Sequence, residues 1–370
     1  MNTFFKDLKI VELANILAGP AVGMFFAELG AEVIKIENKL TGGDVTRSWK
    51  LSTENPGSTM SAYFASVNWN KKSLFSDLND FADKQKVYDL IKDADIVISN
   101  YKKGDDVKLK MDYDTLKKIN PTLIYAHLTG FGENSTRTAY DIVLQAETGF
   151  MHMNGTPESG PLKMPVAFID ILAAHQLKEA ILIALIKKMK AGEGSNISVS
   201  LYDSAIASLA NQASNWLMAN HNPQPIGSLH PNIAPYGEIF TTKDDKKIVL
   251  AIGNNKQFKQ LCLILGIRAI EDELYKTNTL RVKNRTKLFT ILNKEIKKHD
   301  ALKLHNLFIQ NDVPAGLIKS VKEVFEDQSS KHLILNKSDQ GCAVKIVKTA
   351  VFTFKNQKTL QKPIIIGNKY

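Results

Sequence analysis

Between residues 8 and 201 the sequence alternates regularly between two local patterns. Short runs rich in β-branched residues are separated by stretches whose apolar residues follow the helical period. The pattern predicts strands at residues 8–13, 32–37, 95–99, 123–127 and 196–201, a helix beginning near Gly19 and a long helix over 171–190. Parallel strands joined by helical crossovers produce such an alternation. We therefore predict an α/β fold with a Rossmann-like parallel sheet.

The turn after the first predicted strand, residues 14–20, reads Ala-Asn-Ile-Leu-Ala-Gly-Pro. It lacks the GxGxxG pattern whose glycines let a pyrophosphate approach the backbone of a dinucleotide-binding fold. The sequence thus disfavours a dinucleotide bound in that manner.

A second domain is indicated by a change in composition after Trp216. Residues 220–232 are crowded with Asn, His, Pro and Gly, which interrupt regular structure. Beyond them, residues 238–242 and 248–252 predict a β-hairpin, followed by helices to about Gln310. We expect a large Rossmann-like domain over 1–215, a smaller α+β domain over 228–320, and a return to the large domain over 321–370.

The charge balance suits several kinds of partner, because the chain contains 48 Lys and Arg but 38 Asp and Glu, which gives a net charge of +10. Such a chain could attract nucleic acid, an anionic membrane or a polyanionic small molecule. The lysines are scattered, however, without the aromatic platform of single-strand binders, and no apolar stretch has the length of a membrane span. Only two cysteines are present, without CxxC spacing, which favours a reducing compartment. We expect a cytoplasmic protein that binds neither nucleic acid nor membranes.

Known metal and hydrolase patterns are missing from the sequence. The eight histidines never occur at HExxH spacing or in a Cys/His pair, and no GxSxG elbow is present. We therefore expect no metal site.

Asp170 remains as a carboxylate at a special place. It ends the apolar run 164–169 and opens the long predicted helix, whose apolar face includes Ile171, Ile181 and Leu185. An Asp in front of a helix is by default a structural N-cap. A carboxylate near the positive end of a helix dipole should also stay ionised at neutral pH, and it needs no general base to act as a nucleophile. Position alone leaves both roles open.

Residues 165–194 carry the pattern Pro-x-x-x-x-Asp170, a long helix and then Lys-Ala-Gly-Glu-Gly. This stretch resembles family III coenzyme A (CoA) transferases of the CaiB/BaiF type, the group that contains formyl-CoA and carnitine CoA-transferases. Other segments match the family in order and spacing over almost the whole chain: 17–20 (LAGP), 29–37 (LGAEVIKIE), 43–47 (GDVTR), 70–73 (NKKS), 94–101 (ADIVISNY), 130–132 (GFG), 140–146 (YDIVLQA), 234–237 (APYG) and 313–316 (VPAG).

The resemblance implies that Asp170 is the nucleophile and that CoA contacts eight further positions. These are Leu17, Ala18, Asn38, Asn100, Tyr101, Lys102, Lys108 and Tyr140. Each has a plainer alternative, because the apolar residues could simply pack and the lysines could be solvated. The resemblance also implies acyl-CoA and a carboxylic acid as substrates, no tightly bound cofactor, and an intertwined homodimer.

The implied reaction begins when Asp170 attacks the donor thioester and proceeds through anhydride and aspartyl-thioester intermediates. Leu17 stands where formyl-CoA transferases have Gln, and Asn38 where they have Arg, so the identity of the acid is left open.

Two alternative functions remain. An acyl-CoA racemase would need a base where Tyr140 stands, and a tyrosine with an ordinary pKa near 10 is a poor base at neutral pH, although His127 and His152 lie near in sequence. The second alternative is a non-catalytic protein that binds acyl-CoA or nucleic acid.

Overall fold

The computed structural model describes residues 4–268, 272–339 and 342–353, except the side chains of 338, 339, 342 and 343. Its strands, in chain order, are β1 (Lys9–Leu13), β2 (Glu32–Asn38), β3 (Lys72–Ser76), β4 (Ile96–Ser99), β5 (Ile124–Thr129), β6 (Gly155–Thr156), β7 (Gly160–Pro161), β8 (Ser195–Ser200), β9 (Tyr236–Thr241), β10 (Lys247–Ala251), β11 (Ala315–Leu317), β12 (Ile334–Asp339) and β13 (Cys342–Val347).

The α-helices are α1 (Ala18–Glu28), α2 (Ala62–Ala65), α3 (Phe81–Lys92), α4 (Asp105–Leu109), α5 (Tyr113–Ile119), α6 (Asp141–Glu147), α7 (Phe150–Met153), α8 (Phe168–Ala191), α9 (Leu201–Ala207), α10 (Ala210–Ala219), α11 (Asn255–Leu265), α12 (Asn278–Lys283), α13 (Arg285–Ile296), α14 (Ala301–Gln310) and α15 (Val321–Glu326). Short 3₁₀ turns cover Lys39–Thr41, Val45–Ser48, Glu273–Tyr275 and Gln328–Leu333.

The chain divides into two compact units. The first comprises the described parts of Met1–Met151, Lys163–Pro223 and His332–Tyr370, and the second comprises those of His152–Leu162 and Gln224–Lys331. The last part of the return predicted for 321–370, residues 354–370, lies outside the described residues.

The first unit is built on a parallel sheet. Within the described residues it has six strands in the order β3-β2-β1-β4-β5-β8. Ile10 of β1 packs with α1 and α8 in one core cluster, while Val11 and Leu13 pack on the opposite face with α3 and α5. Because both faces are covered, the central strands are mostly buried, and β1 and β2 bury the charged Glu12 and Lys35 beside their apolar residues. This arrangement confirms the predicted α/β fold and the five predicted strands, each within two residues of its predicted ends.

Two features of the first unit differ from the sequence expectations. Strand β3 at the sheet edge was not predicted, because its five residues are mostly exposed and form no apolar run. Helix α8 begins at Phe168, earlier than expected, and its buried side includes Ile181 and Leu185. Ile171 was wrongly assigned to that side, since its side chain is exposed.

The second unit contains the predicted hairpin. Strands β9 and β10 pair antiparallel, and β11 pairs with β10 to complete a three-stranded sheet. Helices α11, α13 and α14 pack against it around a core that includes Phe240, Phe258 and Phe308. The buried Arg281 donates hydrogen bonds to the carbonyls of Ala234 and Tyr275 and so ties the segment before β9 to this core.

Candidate functional site

The carboxyl ends of the parallel strands surround a cavity of about 410 Å³ in the first unit. The residues after β1, after β4 and after β5 line it, together with Tyr140 and Asp170. In open α/β sheets, ligands bind in the crevice beyond the carboxyl ends of the strands. The topology thus places this cavity where such folds bind small molecules. We call it the catalytic cavity.

Asp170 lies in the first turn of α8, on the wall of the catalytic cavity. It is the third residue of the helix and is only 9% exposed. Among the described residues its carboxylate accepts no hydrogen bond. Burial, and secondarily the charge of Asp141, raise the pKa of Asp170 to about 7. The expectation that Asp170 stays ionised at neutral pH was therefore wrong, because burial and a neighbouring carboxylate raise its pKa more than the helix dipole lowers it.

The expected capping position of Asp170 was also wrong. Ala167 is the N-cap residue of α8 and its side chain makes no cap. Instead Asp141, at the start of α6, accepts the backbone N–H of Ile169 at 2.9 Å. The amide of Gln145 donates to the same Asp141 carboxylate, and the Gln145 carbonyl accepts the Met164 backbone N–H at 2.8 Å. Because Asp141 takes over the helix-capping bond, the Asp170 carboxylate is left to face the cavity.

Most positions implied by the family resemblance come together around this cavity. Leu17, Ala18, Asn100, Tyr101, Lys102 and Tyr140 all line it. Asn100 has a structural function as well, since its side chain donates to the Asn15 carbonyl at 2.9 Å and accepts the Asn15 N–H at 3.0 Å.

The other two positions lie apart from the catalytic cavity. Asn38 lines a second cavity of about 540 Å³, which shares Asn15, Ile16 and Tyr101 with the first. We call it the adjoining cavity. Lys108 lines neither cavity, and its exposed ammonium pairs with Asp105 at 3.3 Å.

Several candidate residues were not found from the sequence. Lys103 and Arg137 line the catalytic cavity and add positive charge beside Lys102. Arg137 lies 3.9 Å over the ring of Phe131 and pairs with Glu147 at 2.6 Å. These residues sit in loops without periodic pattern, so only their tertiary positions identify them.

Two further polar groups belong to the same region. The Ser76 hydroxyl is buried in the wall of the adjoining cavity and has no hydrogen-bond partner among the described residues. Burial, and then the charges of Asp170 and Asp141, raise the pKa of Tyr63 to about 12. Its phenol therefore stays neutral.

Of the two histidines that kept a racemase in consideration, His127 lines the catalytic cavity. Its Nε2 lies 3.0 Å from the Tyr101 carbonyl oxygen. A carbonyl only accepts, so Nε2 donates this hydrogen bond, and in the neutral ring the lone pair lies on Nδ1. His152 lines neither cavity. Tyr140, at the position where a racemase would need its base, lines the catalytic cavity.

The described residues include no cluster of His, Cys, Asp and Glu suited to a metal ion. Within the same ranges, no helix has the length and apolarity needed to cross a membrane.

Comparison with known proteins gives one consistent result. The family model described as CoA-transferase family III matches residues 5–363. The succinate–glutarate CoA-transferase of Agrobacterium fabrum is 37% identical over 368 residues, covering 97% of this chain and 91% of that protein. The succinyl-CoA:glutarate CoA-transferase of Mus musculus is 36% identical over 331 residues, covering 88% and 74%. A crystal structure of a CAIB/BAIF family protein from Brucella suis superposes with a TM-score of 0.83 at 38% identity, covering 95% and 93%.

Proposed function

The chain belongs to CoA-transferase family III, enzymes that move CoA between carboxylic acids, and from that premise we propose that Asp170 is its nucleophile. The observation that carries the proposal is the setting of this carboxylate, which is buried on the wall of the catalytic cavity and accepts no hydrogen bond from the described residues. A carboxylate with few hydrogen bonds keeps its lone pairs available for attack. Its raised pKa makes it a more basic nucleophile than an exposed carboxylate once it is ionised.

The proposed reaction has four displacements. Ionised Asp170 attacks the acyl carbonyl of the donor thioester, so that an oxygen–carbon bond forms, the carbon–sulfur bond breaks, and CoA leaves as thiolate. The thiolate attacks the Asp170 carbonyl of this mixed anhydride, which releases the donor acid and leaves an aspartyl thioester. The acceptor carboxylate then displaces the thiolate to give a second anhydride. Finally the thiolate attacks the acceptor's acyl carbon, which forms the new acyl-CoA and restores Asp170. Each step exchanges good leaving groups, the usual benefit of covalent catalysis.

We propose that CoA spans both cavities. The thioester end would lie at Asp170, and the phosphates near the positive charges of Lys102, Lys103 and Arg137. The remainder would extend into the adjoining cavity beside Asn38, where the unpartnered Ser76 hydroxyl offers a hydrogen bond. The two cavities share residues, and each lies in the size range of small-molecule sites. The net charge of +10 then serves attraction of a polyanionic substrate.

For the acids, we propose succinate and glutarate as the first pair to test. The relatives from Agrobacterium fabrum and Mus musculus carry these acids in their names.

The experiment is a transfer assay with matched variants. Succinyl-CoA is supplied with glutarate, acetate or oxalate, and acyl-CoA products are separated by chromatography. The proposal expects glutaryl-CoA from wild-type protein and none from Asp170→Ala. Asp203→Ala is the control, because Asp203 occupies the same third position of helix α9 but is exposed and lines neither cavity. Retained turnover in folded Asp170→Ala would remove the nucleophile assignment.

We also propose that the protein is a homodimer in the cytoplasm. The assembly has specific support from apolar side chains exposed on two helices of the first unit: Ile183, Ile186 and Met189 on α8, and Trp216, Leu217 and Met218 on α10. Exposed large apolar side chains on two helices are consistent with an interface between copies of the chain. Light scattering coupled to size exclusion should give twice the 41.2 kDa chain mass, and a monomer at micromolar concentration would exclude the dimer.

A further inference from the structure

The turn between β1 and α1 has a conformation that its sequence does not favour. Ile16 in this turn has φ of +75°, in the left-handed region. A β-branched residue rarely adopts that region, because its Cβ crowds the backbone, so the surrounding structure must hold it there. Ile16 lines both the catalytic and the adjoining cavity, and Leu17 and Ala18 follow it along the cavity wall. The strained residue therefore sets the shape of the wall.

Side chains from three other elements hold this turn by its backbone. Asp44 accepts the Ile16 N–H at 3.1 Å through Oδ2. Lys35, on β2, donates from Nζ to the Ala14 carbonyl at 2.5 Å. Asn100, after β4, makes the two bonds to Asn15 described above. Only the bond from Asp44 reaches the strained residue itself.

Asp44 is in turn fixed by its own surroundings. It is 2% exposed, and its Oδ1 accepts both the backbone N–H of Thr46 at 3.0 Å and the Thr46 hydroxyl at 2.8 Å. Its own backbone N–H donates to Glu37 at 2.8 Å. Its Oδ2, the atom that holds Ile16, pairs with Lys35 at 3.1 Å. Both oxygens are thus occupied in a fixed geometry.

The charges beneath the turn balance within a closed cluster. Lys35 also bonds Glu12 at 3.2 Å, and Lys71 bonds Glu12 at 2.7 Å. Two carboxylates therefore face two ammonium groups, all four nearly inaccessible to solvent. A paired and hydrogen-bonded cluster of this kind is rigid, whereas loss of one member leaves an uncompensated buried charge.

We propose that Asp44 is a positioning residue, which holds Ile16 in the left-handed conformation and thereby sets the cavity wall against which acyl-CoA binds. The inference rests on the proposed location of CoA in these cavities. Asp44 acts through the backbone of Ile16 and takes no part in bond making. Its function for the reaction is thus to fix the affinity and orientation of the substrate. Backbone strain at Ile16 is the consequence of holding that residue at positive φ.

The test is a double-mutant cycle between the two residues. Glycine adopts positive φ without a Cβ clash, so Ile16→Gly removes the strain that Asp44 has to hold. Asp44→Ala, which removes both acceptor oxygens, should raise KM for succinyl-CoA and Kd for CoA on the order of tenfold in the wild-type background, the factor for a lost hydrogen bond to a charged group. In the Ile16→Gly background the same change should raise them no more than about threefold. Equal effects in both backgrounds, or none, would overturn the proposal.

A second comparison decides the case in which Asp44→Ala does not fold. Ile16→Ala and Ile16→Gly remove nearly the same side chain, but only alanine keeps the Cβ that is strained at positive φ. The proposal expects Ile16→Gly to unfold at higher denaturant concentration than Ile16→Ala. Equal midpoints, or a less stable Ile16→Gly, would mean that Ile16 is not held in the left-handed region.

Two controls separate this inference from the proposed function. Asp244→Ala removes a carboxylate of the second unit that also accepts a backbone N–H, from Ala301 at 2.9 Å, but lines neither cavity, so it should leave KM unchanged. Lys102→Glu reverses a charge on the catalytic cavity and should weaken CoA binding whatever Asp44 does. If Lys102→Glu binds CoA normally, the proposed CoA location fails. If Lys102→Glu weakens binding and the double-mutant cycle shows no coupling, only the inference about Asp44 fails.

Discussion

Replacing Asp170 by Asn should abolish transfer and at the same time stabilise the protein at alkaline pH. The carboxyl of Asp170 has its pKa raised from 3.8 to about 7, with burial as the main cause. Between these two pKa values the folded protein holds a proton that the unfolded chain has released. The contribution of Asp170 to the free energy of unfolding is therefore fully present below pH 3.8 and falls as pH rises towards 7. The amide of Asn is isosteric and never ionises, so the variant escapes this loss.

The expected size follows from the two pKa values. Each pKa unit corresponds to about 1.4 kcal/mol, so the loss in wild type is on the order of 1–2 kcal/mol at pH 5 and on the order of 4 kcal/mol above pH 7. Asp170→Asn should therefore exceed wild type in free energy of unfolding by a margin that grows from pH 5 to pH 8. A gain of stability on loss of a functional group is typical of active sites that hold a strained or desolvated charge.

The assay is urea unfolding followed by circular dichroism at pH 5, 6, 7 and 8, with Asp203→Asn as the matched control. Asp203 has the same position in its own helix but is exposed, so its loss removes a favourable interaction with the helix dipole and should destabilise by about 0.3–1 kcal/mol. The two variants are expected to shift in opposite directions at pH 8. A destabilised Asp170→Asn, or a difference from wild type that does not change with pH, would refute the reasoning.

Three other predictions follow from the same geometry. The kcat/KM of wild type should rise with pH through about 7 as Asp170 ionises. Asp141→Asn should move this rise to lower pH, but the pKa of Asp170 should stay above that of an ordinary carboxyl because burial is the larger cause. A pH profile that does not move would exclude the influence of Asp141. Lys102→Ala should raise KM for acyl-CoA several-fold at low salt. Lys108→Ala alters a residue outside both cavities, so its KM should stay within about twofold of the wild-type value. Initial rates at two ionic strengths measure both effects. Arg281→Met should destabilise the second unit by at least about 2 kcal/mol, because it strands buried carbonyls that the guanidinium now satisfies; an unchanged urea midpoint would contradict this.

The parts of the fold that could be predicted are those encoded by local apolar runs. Strands β1, β2, β4, β5 and β8 have β-branched segments buried on both faces or bordered by clear helices. Strand β3 lies at the edge and has no such signal, so its pairing with β2 is decided by tertiary contacts. The boundary of α8 was displaced because its start is capped from α6, far along the chain.

The site was only partly predictable for the same reason. The position of Asp170 at the start of a helix is a local property, and it was found. Its protonation was misjudged, because the dipole of α8 is visible in the sequence whereas burial and the charge of Asp141 depend on the fold. The conformation of Ile16 is even less accessible, since isoleucine is among the residues least suited to positive φ. The backbone N–H of Ile16 bonds to the carboxylate of Asp44, which is distant in the sequence, so no local pattern indicates this conformation.

The most direct measurement of the central claim is a chemical trap of the covalent intermediate. Wild-type protein is mixed with succinyl-CoA, treated with hydroxylamine, digested and analysed by tandem mass spectrometry, with Asp170→Asn carried through in parallel. Attack by Asp170 predicts a hydroxamate on residue 170 in the wild type alone, formed only when the thioester is present. Turnover to a new acyl-CoA under the same conditions, with residue 170 unmodified or with the label on another carboxylate, would contradict the account.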